Sequence, residues 1–480
     1  MTDTPQNAPL SPGEILAANH REFLGIMDRA TEAFSSGAPE EAARLLQAAA
    51  NLAWKRKTGL FSCAALESLL GRIAQDAGIC DEDCPENDAP GEKKRRVLHV
   101  FTETYAIGGH TRLAQRWMIL DSASRHDAVS TQQGSRPPPD SLLAAVRRSG
   151  GNCHTIDTPG SSFLERAHAL RRISRGADFI VVHQHPHDVI PALAYSVDNH
   201  TPVIYMNHAD HSFWTGASIA NTIAHFRESG IELSRHRRGI DNQRIQVLPI
   251  PIDRVKDSPG RTEAKKVLGL TTDSFLIVSI GADWKYRTFD HFDYLEMVEP
   301  FLHEYKDAFV LAVGVSEQDK WAAASQRTGG RIQTPGTIRN LDMVYRAADV
   351  LLSPIPLGSV TSMLEGASYG LPLVSFCPQG TPARVLFNDD INIPDHLHQV
   401  ADAAGLRARL ASLKQDETAR KQLGDTMREL CERAHIGDNW LQYMNKIYTA
   451  AETTPAKPPS ADAAMPRITG LDMMLLHCSG

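Results

Sequence analysis

Short apolar runs rich in β-branched residues alternate with helical sequence, twice over, between Val97 and Phe376. That alternation leaves few folds open. "VLHVFTE", "DFIVVHQH", "PVIYMNH" and "IQVLPIPID" read as strands of one set, and "FLIVSIGA", "AFVLAVGV", "DVLLSPIP" and "LPLVSF" as strands of a second. Strands that alternate with helices pair in parallel, because the helix carries the chain back across the sheet. The Pro-rich stretch "VLPIPIDRVKDSPG" (Val247–Gly260) separates the two sets. The expected class is therefore α/β, with two Rossmann-like domains in tandem.

Ahead of them, "EILAANHREFLGIMDRATEAF" and "PEEAARLLQAAANLAWKR" place apolar residues at i, i+3, i+4 and i+7, the helical period. Pro39 followed by two glutamates suits a helix start. Residues 13–79 thus predict a small all-helical unit, with a pattern reminiscent of one tetratricopeptide-like hairpin, and a partner protein could dock on it. Residues 80–95, acidic then basic, read as a linker. The first α/β domain is expected over 96–252, the second over 260–398, closing helices over 399–452 and a flexible tail over 453–480.

Composition removes several function classes. The formal charge of −7 gives no general attraction to nucleic acid or anionic membrane, and no run is long enough to span a bilayer. The N-terminus lacks a basic start and an apolar core, so no secretory signal is expected. Seven scattered cysteines suit reduced thiols, so the expected location is cytoplasmic, with peripheral membrane contact left open.

Ligands of open α/β sheets bind beyond the carboxyl ends of the strands. The residues that follow strands here are Gly108, Gly109 and His110, then His183, His185 and His187, then His208 and His211. In the second set they are Gly281 to Arg287 and Gly358 to Glu365. Lys285 and Arg287 are cations suited to two phosphates, and the turn at Gly358 and Ser359 opens a helix whose amides suit an anion. Glu365 follows in that helix, and a carboxylate there can accept hydrogen bonds from a ribose diol. His183 and His185 alternate on one strand face, which admits a metal, although lining an acceptor site is the commoner use. No Asp-x-Asp metal motif stands nearby, so neither metal nor cofactor is expected.

"VYRAADVLLSPIPLGSVTSMLEGASYGLPLVSF", "IGGHTRLAQRW", "YMNHADH" and "SIGADWKYR" together resemble the GT-B nucleotide-sugar glycosyltransferases, especially the retaining family-4 type. Tyr345, Asp349, Pro354, Glu365, Gly370 and Pro372 fall into the family's register. The resemblance implies two Rossmann-like domains facing across a cleft, with a nucleotide-diphosphate sugar as donor and an unidentified acceptor: glycan, lipid-linked glycan or protein. It assigns Lys285 and Arg287 to the diphosphate and Glu365 to the ribose. Gly108, Gly109, Gly358 and Ser359 would let backbone approach the donor nucleotide. His208 would touch the transferred sugar, with His110, His185 and His211 as further sugar or acceptor candidates. One departure stands out. The family carries an additional glutamate where this chain has Leu357, so a degenerate GT-B scaffold remains open beside the transferase, and a nucleotide-sugar epimerase is a third reading.

Overall fold

The computed structural model describes residues 10–80, 94–106, 108–255, 259–288, 292–316, 319–389, 391–460 and 468–477. The apolar runs become strands buried on both faces, as parallel sheets require. The first set gains three strands that no apolar run announced and is, in chain order, β1 (Arg96–Phe101), β2 (Arg125–Ser130), β3 (Cys153–Thr155), β4 (Phe179–His183), β5 (Val203–Met206), β6 (Thr222–His225) and β7 (Ile245–Val247), the additions being β2, β3 and β6. The second set is β8 (Phe275–Ile280), β9 (Ala308–Val313), β10 (Ile332–Gln333), β11 (Val350–Leu352), β12 (Leu373–Phe376) and β13 (Gln399–Val400). The first seven form one sheet in the order β3-β2-β1-β4-β5-β6-β7, and the rest a second in the order β10-β9-β8-β11-β12-β13. Every described pairing is parallel.

Two compact units result, one of residues 1–248 with 443–480 and one of residues 249–442. The helices α1 (Pro12–Ser35), α2 (Pro39–Arg56) and α3 (Ala64–Asp76) do not stand apart from the first sheet. Phe23, Leu46, Leu66 and Leu70 share one core with Ile180, Leu193 and Trp214. The apolar stripes that suggested a partner-binding hairpin are thus covered from within the unit. Glu67 fixes the contact. Its buried carboxylate accepts from the backbone N–H of Gly216 (2.6 Å) and Ala217 (3.1 Å) and from the Ser218 hydroxyl (2.5 Å).

Strand β2 had no apolar signature, since "RHDAVS" begins with three polar residues. It is a strand because its polar side chains are answered inside. Arg96 Nε donates to Asp127 at 2.6 Å, the Asn152 N–H to the same carboxylate at 2.7 Å, and His126 meets His99. The segment read as a linker over 80–95 lies, apart from its ends, outside the described residues. The tail reading over 453–480 needs correction at its end. Residues 470–477 form a helix, and its buried Asp472 takes Arg237 Nη2 at 2.7 Å.

In the second unit Asp349 ties the sheet to its helices. It accepts from Lys265 Nζ (2.7 Å) and from the Leu276 N–H (2.9 Å), and both charged groups are buried. The Pro-rich segment after β7 is held from the C-terminal side. Trp440 Nε1 donates to the Pro249 carbonyl at 2.6 Å and His435 Nδ1 to that of Ile250 at 2.8 Å. The chain then returns to the first unit from Tyr443 onward.

Glu67→Leu should leave the amides of the 216–218 turn without acceptors. An unmade buried bond costs about 1–3 kcal/mol. Thermal denaturation should show a loss on the order of 3 kcal/mol, with Glu67→Gln falling between it and wild type.

Candidate functional site

Each sheet reverses its strand order once, between β1 and β4 in the first and between β8 and β11 in the second. At such a reversal the flanking connections leave on opposite faces and open a crevice at the carboxyl ends. The residues that follow β1 and β4, and β8 and β11, therefore meet.

In the second unit β8 leads into Gly281 and a single 3-10 turn, Asp283–Tyr286, while β11 leads through Ser353 to the helix Val360–Ser368. Lys285 joins the two, its ammonium donating to the Gly358 carbonyl at 2.7 Å. Arg287, just past the turn, is exposed. The expectation that Gly358 and Ser359 offer their amides is corrected. The Gly358 N–H is bound to the Leu386 carbonyl (3.1 Å), and the Ser359 N–H to Ser353 Oγ (3.3 Å). Gly358 is required for a different reason, since a Cβ there would collide with the side-chain amide of Asn388. Val360, Thr361 and Ser362 follow in the first turn, where amides have no intrahelical acceptor. The amides without an intrahelical acceptor thus lie one step later in the chain.

Glu365 sits in the second turn and is 7% exposed. Tyr345 Oη donates to its Oε2 at 3.0 Å, and the Tyr345 ring stacks on Tyr369, centroids 5.0 Å apart. One carboxylate oxygen is thereby oriented before any ligand arrives. Leu357 is half-buried, and its N–H reaches the Lys285 carbonyl at 3.4 Å. Among the family-register residues, Asp349 belongs to the fold and not to this loop.

In the first unit Gly108 precedes, and Gly109 begins, the helix Gly109–Leu120, which places His110 in its first turn. The rings of His110 and His208 lie 5.9 Å apart, and those of His110 and His185 5.7 Å apart. His185 stacks on Tyr105 (5.9 Å) and His187 on Trp54 of α2 (5.2 Å). His183 and His185 do not share a strand face. The strand ends at His183, whose ring is buried and stacks on Phe101 at 4.9 Å. Both its ring nitrogens face other imidazoles, at 3.0 and 3.1 Å. Among the described residues no group of three or more His, Cys, Asp or Glu is arranged to hold a metal ion. His211 makes no ring contact with this group and turns to Asp210 at 3.2 Å.

These imidazoles are neutral. Burial holds His110 down to about 4, partly offset by the Glu103 carbonyl that its Nε2 reaches at 3.0 Å. Burial also lowers His185, and places His183 and His208 well below the usual range. A neutral ring can accept a hydrogen bond at one nitrogen and attracts no phosphate. Burial raises the Asp210 carboxyl, but the Arg227 guanidinium at 2.7 Å and the His211 ring outweigh it and hold the group far below the usual range.

Sequence reasoning missed Trp54, Tyr105 and Asn388, and it placed Tyr345 in the family's register without its bond to Glu365. Tyr345 and Glu365 are twenty positions apart and meet only because α-helix and strand fold back together. Trp54 lies in the helical segment, far from any strand end.

No protein-family model matches the chain, and no curated protein matches it. Solved structures do. A glycosyltransferase from Rickettsia africae superposes with a TM-score of 0.56 at 12% identity, over 75% of this chain and 100% of that one. HepE from Anabaena, in complex with UDP and glucose, gives 0.54 at 10% identity, over 74% and 99%. A TarM mutant from S. aureus, in complex with fondaparinux, α-GlcNAc-glycerol and UDP, gives 0.52 at 9% identity, over 74% and 99%. At these identities the likeness is one of fold, and the fold is GT-B.

The depressed histidines make stability depend on acid in a stated direction. The unfolded chain takes up protons near pH 6.5 while the folded one refuses them, so stability is complete above about 6.5 and falls as pH drops. For His110 the loss is complete near its folded value of about 4 and amounts to about 3 kcal/mol at most. Thermal denaturation at stepped pH should show this decline, and His110→Asn should make it shallower.

Proposed function

We propose that the chain transfers a sugar from a nucleoside-diphosphate donor to an acceptor hydroxyl, with the donor held by the second unit and with retention of configuration. The observation that carries this reading is the Lys285–Gly358 bond at the strand-order reversal. It sets a cation beside a helix N-terminus and a pre-oriented glutamate in one short stretch of structure. A nucleoside diphosphate sugar has the matching parts: a dianionic diphosphate, a ribose diol and a neutral sugar. The GT-B fold supports the reading, as do the ligands named for the Anabaena protein, UDP and glucose.

Lys285 and Arg287 would stabilise charge on the departing diphosphate, aided by the amides of Val360, Thr361 and Ser362. Charge stabilisation by groups already in place is commonly a large term in catalysis. Glu365, with one oxygen held by Tyr345, would accept from the ribose hydroxyls. In a retaining reaction the leaving phosphate oxygen would itself draw the proton from the acceptor hydroxyl, so no protein nucleophile is called for. His208 would face hydroxyls of the transferred sugar, with His110 and His185 beside it. No metal is assigned, since cations and helix amides can hold the diphosphate.

Leu357 favours a second reading. An apolar side chain in place of the family's additional glutamate cannot hydrogen-bond the donor sugar, and a chain that binds donor without turning it over would be a degenerate scaffold.

Calorimetric titration against UDP, GDP, ADP and their sugars should find one diphosphate that binds. Lys285→Ala should weaken it about tenfold to a hundredfold, the worth of a charged hydrogen bond. Glu365→Gln should lower the preference for ribose over 2′-deoxyribose nucleotide by about tenfold. Absence of binding by every nucleotide would overturn the reading, whereas binding without turnover would favour the scaffold.

A further inference from the structure

Beneath the carboxyl end of the first sheet, four imidazoles from neighbouring strands form one hydrogen-bonded line. His126 on β2 meets His99 on β1 (Nδ1 to Nε2, 3.1 Å), and His99 meets His183 on β4 (Nδ1 to Nε2, 3.0 Å). His183 then meets His208 after β5 (Nδ1 to Nε2, 3.1 Å). The first three rings are buried, and His208 is half-buried. A sheet interior needs no imidazoles, and aliphatic side chains would fill this space without polar atoms to satisfy.

The line has a direction, set at its closed end. His126 Nε2 faces the Asp121 carbonyl at 3.0 Å and the Asp121 carboxylate at 3.6 Å. A carbonyl cannot donate, so the hydrogen of His126 is on Nε2. The carboxylate is an acceptor as well. Tyr448 Oη receives the Trp117 indole N–H at 3.0 Å and gives its own hydrogen to Asp121 Oδ2 at 3.0 Å. Burial keeps all four rings neutral, so each has one N–H and one lone pair. With the His126 lone pair on Nδ1, His99 must donate from Nε2. The same step repeats at His183 and at His208. It leaves His208 Nδ1 with a lone pair and no hydrogen-bonding partner among the described residues.

We propose that this line is a tautomer lock, in which Asp121, His126, His99 and His183 are positioning residues that keep the His208 hydrogen on Nε2 and present Nδ1 as an acceptor for a ligand hydroxyl. His110 repeats the device on a smaller scale. Its Nε2 is turned to the Glu103 carbonyl, which leaves its Nδ1 as the acceptor. That the hydroxyl belongs to a transferred sugar rests on the proposed function; the lock does not.

The test is long-range proton–nitrogen NMR on the full chain labelled with 15N-histidine at neutral pH, each ring assigned from its own single variant. The expected pattern is hydrogen on Nε2 in His126, His99, His183 and His208. Hydrogen on His208 Nδ1, or a mixture of forms in wild type, overturns the proposal, and this measurement needs no variant to fold. His183→Phe should lose the single tautomer at His208, and His183→Asn should restore it, because the amide oxygen stands where Nδ1 stood. His126→Phe, with two rings between it and His208, should also release the tautomer; a purely structural role would leave it unmoved. Titration with the UDP, GDP and ADP sugars separates the two readings. Protein that binds no nucleotide sugar but keeps the Nε2 pattern removes the functional reading and leaves the lock standing.

Discussion

A parallel sheet must send its chain back across one face after every strand, and an order that reverses must use both faces. Everything else in this molecule depends on that requirement being met twice. The reversal beside β1 brings Phe101, His183 and His208 to one place, and the reversal beside β8 brings Lys285 to Gly358. Neither grouping contains residues that are neighbours in sequence. Both follow from strand order.

The two reversals carry opposite chemistry. In the second unit a cation, a second exposed cation and the first turn of a helix favour an anion. In the first unit the strand ends carry imidazoles that burial keeps neutral, so that place suits hydroxyl groups.

Three buried carboxylates of the first unit are answered by fixed partners. Glu67, Asp127 and Asp121 each accept from groups fixed by backbone or by a buried ring. Buried polar groups left unpaired destabilise a fold, and paired ones specify it. The helical segment takes part through Glu67 and Trp54, which makes it a component of the first unit and of the ring cluster at its strand ends.

Much of the architecture was legible in the sequence, because aliphatic runs of strand length and helical periodicity are local properties. The two sets of strands, the helical beginning, and the loops bearing Lys285, Glu365, His110 and His208 follow from them. Strand β2 did not, because its polar residues become tolerable in a sheet only when partners from β1 and the Asn152 turn arrive. The use of the Gly358 and Ser359 amides, the tether from Tyr345 to Glu365 and the line from His126 to His208 were also out of reach. Each is a hydrogen bond between distant positions, and its direction is set by which oxygen or ring nitrogen the fold brings within about 3 Å. The sequence by itself determined which chemical groups stand at the strand ends; only the tertiary structure decided which of them are already engaged and which remain open to a ligand.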